Sequence, residues 1–399
     1  MTVNDVTWPE SWRSVPLWSL FQRVKDVGHP DEEMLSVYCD HGVVRKESRS
    51  DNFNKTAENR NIYQLVDAGW LIVNRMKAWQ GSLGISPYRG IVSGHYICFR
   101  PQHTEDLQFL NYLLRSVVYT AELRQLSRGV RPNQIEIEND GLRVLSVRLP
   151  DLRVQRAIAS FLDSETARID ALIAKKRRMI ALIDQRFGSY IRDQLVAVSP
   201  VLPLKRRWTV VDCKHRTPTY VDDGYPVVSP GDVTPGRLEL ARCHRFVGDN
   251  DFADLADVLR RPRRGDIIYS RNASIGIAAY VDTDRPFCMG QDVCLITSRD
   301  QNQLYLSYAL NSIGLDQLEL QKIGSTFSRV NVAQIVELSI PTPEVELQRS
   351  LARQFDQERR KCDDLVRRLR QQISLLQEHR QALVAAAVTG QMEVPGVAA

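Results

Sequence analysis

The chain of 399 residues has no run of apolar residues long enough to cross a bilayer, which needs about 20. Its first residues, 1–13, are polar with two tryptophans and lack the charged-then-apolar pattern of a secretory signal. The seven cysteines are odd in number and scattered, so a disulfide framework is not expected. Reduced thiols in a cytoplasmic protein fit better. No Gly-x-x-x-x-Gly-Lys-Ser/Thr phosphate loop occurs, no Gly-x-Gly-x-x-Gly, and no Asn/Asp-Pro-Pro-aromatic tetrapeptide. Cys213, His215, Cys243 and His244 lack the paired spacings of a structural zinc site, so no metal is expected. Carboxylate pairs such as Asp222-Asp223 and Asp363-Asp364 read as turn and helix-surface residues, with no acid/base constellation. Hydrophobic residues make up 43% and charged residues 25%, enough for a sizeable core, and the net charge of +5 is mildly basic.

What the chain does have is a long internal repeat. Leu149-Pro150-Asp151-Leu152-Arg153-Val154-Gln155-Arg156 returns 193 positions on as Thr342-Pro343-Glu344-Val345-Glu346-Leu347-Gln348-Arg349. Downstream, Leu162, Ile169, Ile173, Ile180, Ile183 and Tyr190 carry coiled-coil spacing. At the same offset stand Phe355, Cys362, Val366, Ile373, Leu376 and Leu383. Lys176 interrupts the first seam where Leu369 fills the second, and Arg380 interrupts the second where Phe187 fills the first. Long basic stems can lie along such a seam with their charge in water.

Upstream, Gly69-Trp70-Leu71-Ile72-Val73-Asn74-Arg75 parallels Gly265-Asp266-Ile267-Ile268-Tyr269-Ser270-Arg271, and Gly94–Phe99 parallels Gly290–Leu295. The order is therefore globular domain, long helix, globular domain, long helix. Strands are expected over residues 70–74, 91–99, 266–269 and 293–297, with short helices over 106–116 and 302–311. Two long helices should cover 151–197 and 344–389, the second closed by Gly390. This is a mixed α/β (α+β) chain: globular domains over 1–148 and 200–341, helical segments over 149–199 and 342–390, and a tail over 391–399. The simplest burial for each seam is the other helix, packed antiparallel, which gives an internal pseudo-two-fold. Two dissimilar globular ends on such a rod would suit two different half-sites of duplex DNA.

The repeated Pro-x-x-x-x-Gln run entering a long helix, the strands ending Asn74-Arg75 and Ser270-Arg271, the Val388-Thr389-Gly390 close and the duplicated layout resemble type I restriction-modification specificity subunits. The segments Asp212-Cys213-Lys214-His215-Arg216-Thr217-Pro218 and Gly265-Asp266-Ile267-Ile268-Tyr269-Ser270-Arg271-Asn272-Ala273-Ser274-Ile275-Gly276 add to the likeness. The resemblance implies two target-recognition domains, each reading one half of a split, asymmetric site in double-stranded DNA. It implies helical spacers that set the gap and dock two methyltransferase (modification) subunits, joined by restriction/translocase subunits. It also implies no chemistry and no cofactor in this chain, with S-adenosylmethionine, ATP and Mg on the partners.

Candidate DNA-contacting residues follow from equivalence and chemistry. Arg75 and Arg271 stand at matching strand ends, where arginine can grip guanine edges or phosphates. Lys77 and Gln80, near Ser82, and Asn272 with Ser274 occupy matching loops suited to base contact. Lys214, His215 and Arg216 form a cationic loop suited to backbone contact. Arg131 in Ser127-Arg128-Gly129-Val130-Arg131, and Ser325 with Arg329 in Gly324-Ser325-Thr326-Phe327-Ser328-Arg329, lie in matching glycine-containing turns suited to phosphate. The arginines of 260–264 and the basic run 175–178 read first as solvated faces. Two rival readings are a coiled-coil scaffold with protein-binding ends and the specificity subunit of another split restriction system.

Overall fold

The computed structural model describes residues 2–48, 59–129, 135–322 and 329–396. It resolves into two compact units: residues 1–176 with 371–399, and residues 177–370. Both long helices, Leu152–Val196 and Val345–Val388, are shared between the units.

The first unit is built on an antiparallel sheet in the order Phe21–Val24, Tyr96–Pro101, Leu71–Asn74, Leu83–Ile85. The second repeats that order with Thr209–Asp212, Val293–Thr297, Ile267–Ser270, Ala278–Tyr280, then adds Gly236–Arg237 in parallel. Each globular domain opens and closes in one short ribbon. Arg13–Pro16 pairs with Ser146–Leu149, and Val201–Pro203 pairs with Ser339–Pro341. The sheets are small and mixed, as the β-branched runs between turn residues imply. The expected strand over 91–99 is in fact two, Gly90–Val92 and Tyr96–Pro101, because the chain turns at Ser93, whose carbonyl accepts from Tyr96 N at 3.1 Å. The short helices lie at Leu107–Leu114 and Gln303–Ala309.

The Pro-x-x-x-x-Gln run has a structural meaning in both copies. Gln155 and Gln348 are fully buried. Gln155 Nε2 donates to the Pro150 carbonyl at 2.9 Å, and its Oε1 accepts from Asp106 N at 3.0 Å. Gln348 does the same with Pro343 at 2.8 Å and Asn302 N at 3.0 Å. Asp106 and Asn302 are the N-caps of the short helices, accepting from Phe109 N and Tyr305 N. One amide side chain thus ties the start of each long helix to the cap of a domain helix. Gln155→Ala and Gln348→Ala each strand a buried backbone donor and acceptor. Urea unfolding should show a loss of about 1–3 kcal/mol for either.

Within each unit the long helices run antiparallel. In the first, Arg380 pairs with Asp170 at 3.1 Å and Lys176 Nζ donates to Gln372 at 2.7 Å. In the second, Arg359 pairs with Asp184 at 3.3 Å and the ring of Phe355 meets that of Tyr190 at 6.1 Å. The expected seam residues are all buried or half-buried, with exposed residues recurring between them, the pattern an apolar stripe requires. The two basic interruptions, Lys176 and Arg380, are half-buried and bonded across the helix pair.

Each helix end also completes a domain core. Val384, Ala387, Val388 and Val394 join Trp12, Phe109, Tyr119 and Leu162 in the first unit. Ile191, Leu195, Leu351 and Phe355 join Trp208, Tyr269 and Tyr305 in the second. The second long helix ends in a Schellman turn: Gln391 N donates to Ala386 O, Gly390 N donates to Ala387 O, and Gly390 has φ +70. A Cβ there would lie 2.6 Å from Pro9 Cγ, so glycine is required on two counts.

Candidate nucleic-acid interface

In the first unit the loop after Leu71–Asn74 is shaped by an Asx turn, with Asn74 Oδ1 accepting from Met76 N at 3.1 Å. Trp79 Nε1 donates to the Met76 carbonyl, and the Arg124 guanidinium lies 5.5 Å from the Trp79 ring centroid. Lys77 and Gln80 are exposed on this loop. Ser82 is buried and donates to the Val37 carbonyl, so it faces no ligand. Arg75 is half-exposed and paired with Glu136 at 2.8 Å. Its N–H donates to the His95 carbonyl, and its carbonyl accepts from Ile137 N.

The backbone of Arg271 repeats that arrangement in the second unit, donating to the Asp292 carbonyl and accepting from Val330 N. The equivalence seen in sequence therefore holds at the level of single hydrogen bonds. The side chains differ. Arg271 is 4% exposed, its Nε donates to the Val330 carbonyl at 3.0 Å, and its Nη1 pairs with Asp212. Its guanidinium is spent inside the fold, so the expected DNA contact would require it to leave Asp212 and the Val330 carbonyl.

Around Arg271 the structure gathers most of the other second-domain candidates. Asp292, itself at φ +63, accepts from Asn272 Nδ2 at 3.2 Å and pairs with Arg329 at 2.8 Å. Gln291 Nε2 donates to Thr217 Oγ1 at 2.9 Å. Asp212 also meets His215 at 3.3 Å. Ser274 is half-exposed beyond Asn272, its carbonyl accepting from Ile277 N. Lys214 pairs with Asp254 at 2.7 Å and Asp257 at 3.6 Å, and Arg216 pairs with Asp251 and with Asp254 at 3.3 Å. Arg131 and Ser325 lie outside the described residues.

The partners of these cations are the functional residues that sequence reasoning missed. Three carboxylates lie on or just past the helix Asp249–Leu255, whose acidic sequence Asp249-Asn250-Asp251-Phe252-Ala253-Asp254 is the one signal that could have exposed them. Hydrogen bonding from Lys214 and the charges of Lys214 and Arg216 hold the Asp254 carboxyl below its usual range. Partial burial pushes Asp257 upward, but bonds from the side chain and backbone of Arg260 outweigh it and leave it low as well. The cationic loop 214–216 thus sits neutralised on its own acidic support.

Asp212, Cys213 and His215 bring three potential metal-ligating atoms within 4.8 Å of one another, the one such group among the described residues. The donor set does not suit zinc. Burial pushes the Cys213 thiol up, away from thiolate, and Asp212 already accepts from Arg271. Cys243 is buried too, its thiol pushed up to about 11, and stands outside the group.

A family model described as the type I restriction modification DNA specificity domain matches residues 215–375. No similarity to a curated protein reaches significance. Among solved structures, a chain from work on complex assembly and conformational transition of the type I R-M system aligns over 97% of this chain and 100% of its own length, with 16% identity and TM-score 0.65. An HsdS subunit from Thermoanaerobacter tengcongensis aligns over 98% of this chain and all of its own at 16% identity and TM-score 0.48. The S subunit of a type I system from M. genitalium does so at 16% identity and TM-score 0.39. The matched segment takes in the loop from His215, the sheet behind Arg271 except its strand Thr209–Asp212, and most of the second long helix. Residues 215–375 thus match the type I restriction modification DNA specificity domain, and the fold is shared over 97% of this chain with a chain from work on the type I R-M system.

Proposed function

We propose that this chain selects the DNA target of a type I restriction-modification complex by reading a bipartite, asymmetric duplex site, one half with each globular domain. The observation that carries the reading is the paired geometry of the two loops: the same sheet order and the same backbone bonds at Arg75 and Arg271, with unlike side chains displayed beyond them. The first domain offers Arg75, Lys77 and Gln80. The second offers Asn272, Ser274 and Arg329 beside Lys214, His215 and Arg216. One scaffold with two different sets of donors reads two different sequences. Phosphates would compete with Asp251, Asp254 and Asp257 for the cations of the second domain, exchanging one set of anions for another. In this reading the long helices dock two methyltransferase subunits, and restriction/translocase subunits complete the assembly in the cytoplasm. S-adenosylmethionine, ATP and Mg belong to those partners.

Selection of duplexes from a randomised library by the full chain, followed by titration against salt, tests the reading. A split consensus of two unlike halves is expected. Affinity should fall by about 10³-fold or more between 50 and 200 mM salt if some six phosphates are engaged. Alone, with S-adenosylmethionine, ATP and Mg supplied, the chain should neither methylate nor cut. Enrichment of no duplex at all, or affinity indifferent to salt, would refute the proposal.

A further inference from the structure

The second domain carries a feature that the cationic loops do not account for. At the end of the acidic helix the chain turns through Asp257-Val258-Leu259-Arg260-Arg261-Pro262-Arg263-Arg264. Val258 is 88% exposed and Leu259 71%, two adjacent aliphatic side chains standing in water. The turn beneath them is firmly built. Asp257 Oδ1 accepts from the backbone N–H groups of Leu259 and Arg260, each at 3.1 Å, and its carbonyl accepts from those of Arg260 and Arg261, each at 3.0 Å. Arg260 pairs with Asp257 at 2.8 Å and donates through Nε to the Asp212 carbonyl at 3.0 Å. Arg261 lies 5.7 Å from the centroid of the Phe252 ring, itself stacked on Tyr225 at 3.9 Å, and Pro262 is buried.

An isolated exposed leucine needs no explanation, but a firmly supported apolar pair followed directly by four arginines does. The turn sets four arginines against Asp257, with Arg264 also paired to Asp282 at 3.7 Å and Asp284 at 3.1 Å, and its remaining positive charge complements a polyanion. Arg261, Arg263 and Arg264 are exposed on it. Apolar side chains flanked by cations on a preformed support are what proteins use to pry neighbouring base pairs out of their stack, the cations holding the phosphates on either side. The turn also belongs to the same ion-pair network as the candidate interface, because Lys214 reaches Asp257 and Arg260 reaches Asp212.

We propose that Val258 and Leu259 form a wedge that enters a base step of duplex DNA beside the half-site read by the second domain, kinking it there. The proposal rests on the DNA-reading function above and specifies how one half-site is engaged. At the offset of 196 that relates Gly69 to Gly265, the arginine-rich stretch 260–264 falls on Gln64-Leu65-Val66-Asp67-Ala68, which carries no arginine, so the proposal is confined to the second half-site.

The test uses the full chain and a duplex that it has itself enriched from a random library, with a single mismatch moved step by step along the site. A mismatch lowers the cost of unstacking, so the wild type should bind about tenfold tighter when it falls at the entered step. The double variant V258S/L259S should lose that peak and bind the matched duplex about tenfold more weakly, with its salt slope unchanged. Both positions are exposed, and equal melting temperatures would show that folding is intact. R261Q/R263Q should instead reduce the salt slope by up to about two and leave the mismatch peak in place. A wild-type mismatch profile in V258S/L259S overturns the wedge. So does unchanged DNA binding with loss of a methyltransferase subunit, which would make the turn a protein dock. Failure of the wild type to enrich any duplex would instead sink the DNA-reading function itself, and the wedge with it.

Discussion

Phe355→Ala is expected to destabilise the second unit by about 3–5 kcal/mol, the range for deleting a fully buried aromatic ring. Phe355 is inaccessible to solvent and packs edge-on against Tyr190 of the first long helix at 6.1 Å and Tyr308 of the short domain helix at 5.6 Å. Three elements therefore meet on one side chain: both long helices and the second globular domain. Removing it leaves a cavity that none of the three can close without leaving the others. Phe355→Leu keeps most of the volume and should cost less than half as much. Denaturant unfolding followed by tyrosine fluorescence checks both; equal effects would mean that the site relaxes around the loss.

Asp212→Ala should produce a loss toward the lower end of the about 3–5 kcal/mol typical of breaking a buried ion pair from one side. It leaves the Arg271 guanidinium enclosed without its carboxylate, and the partial exposure of Asp212 moderates the effect. Replacing both residues, as Asp212→Ala with Arg271→Met, should recover much of the loss, because no unpaired charge remains. The pair also carries a pH signature. Burial pushes the Asp212 carboxyl up, but the charge and hydrogen bond of Arg271, with help from His215 and the Cys213 N–H, outweigh it and hold the group below its ordinary 3.8. A carboxylate held low in the fold contributes stability that is present above its unfolded value and disappears as pH falls through the folded one. Asp212→Asn should therefore flatten the acid limb of the stability profile below about pH 4 and lower stability at neutral pH. A parallel acid limb in wild type and variant would contradict the assignment.

The architecture was legible because it is periodic. Two seams in one register, a repeated Pro-x-x-x-x-Gln run and paired strand-ending arginines each leave a trace at fixed spacing. The role of Gln155 and Gln348 was not legible, because the groups they satisfy, Asp106 N and Asn302 N, come from elsewhere in the chain. The site was harder still. Arg75 and Arg271 are the same residue at the same backbone position, yet one is half-exposed and the other enclosed, and the difference lies in Asp212, nearly sixty residues from Arg271. Lys214 and Arg216 read as free cations until the carboxylates of Asp249–Leu255 are folded against them. At residues 257–264 the arginines are plain in the sequence but the exposure of the aliphatic pair beside them is not, since only a structure shows which apolar side chains fail to find cover.

The core of the first unit contains residues from both extremes of the numbering: Val3 and Trp12 lie in one cluster with Val388 and Val394. During synthesis that cluster cannot close when the first domain leaves the ribosome, for the intervening 177–370 must be made first. At about 5–20 residues per second the wait is on the order of 10–40 s. The second unit, continuous in the numbering, has no such delay. The maturation order is thus inverted relative to the order of translation: the segment translated later is finished earlier, and the one translated earlier waits with an open apolar face for the end of the second long helix.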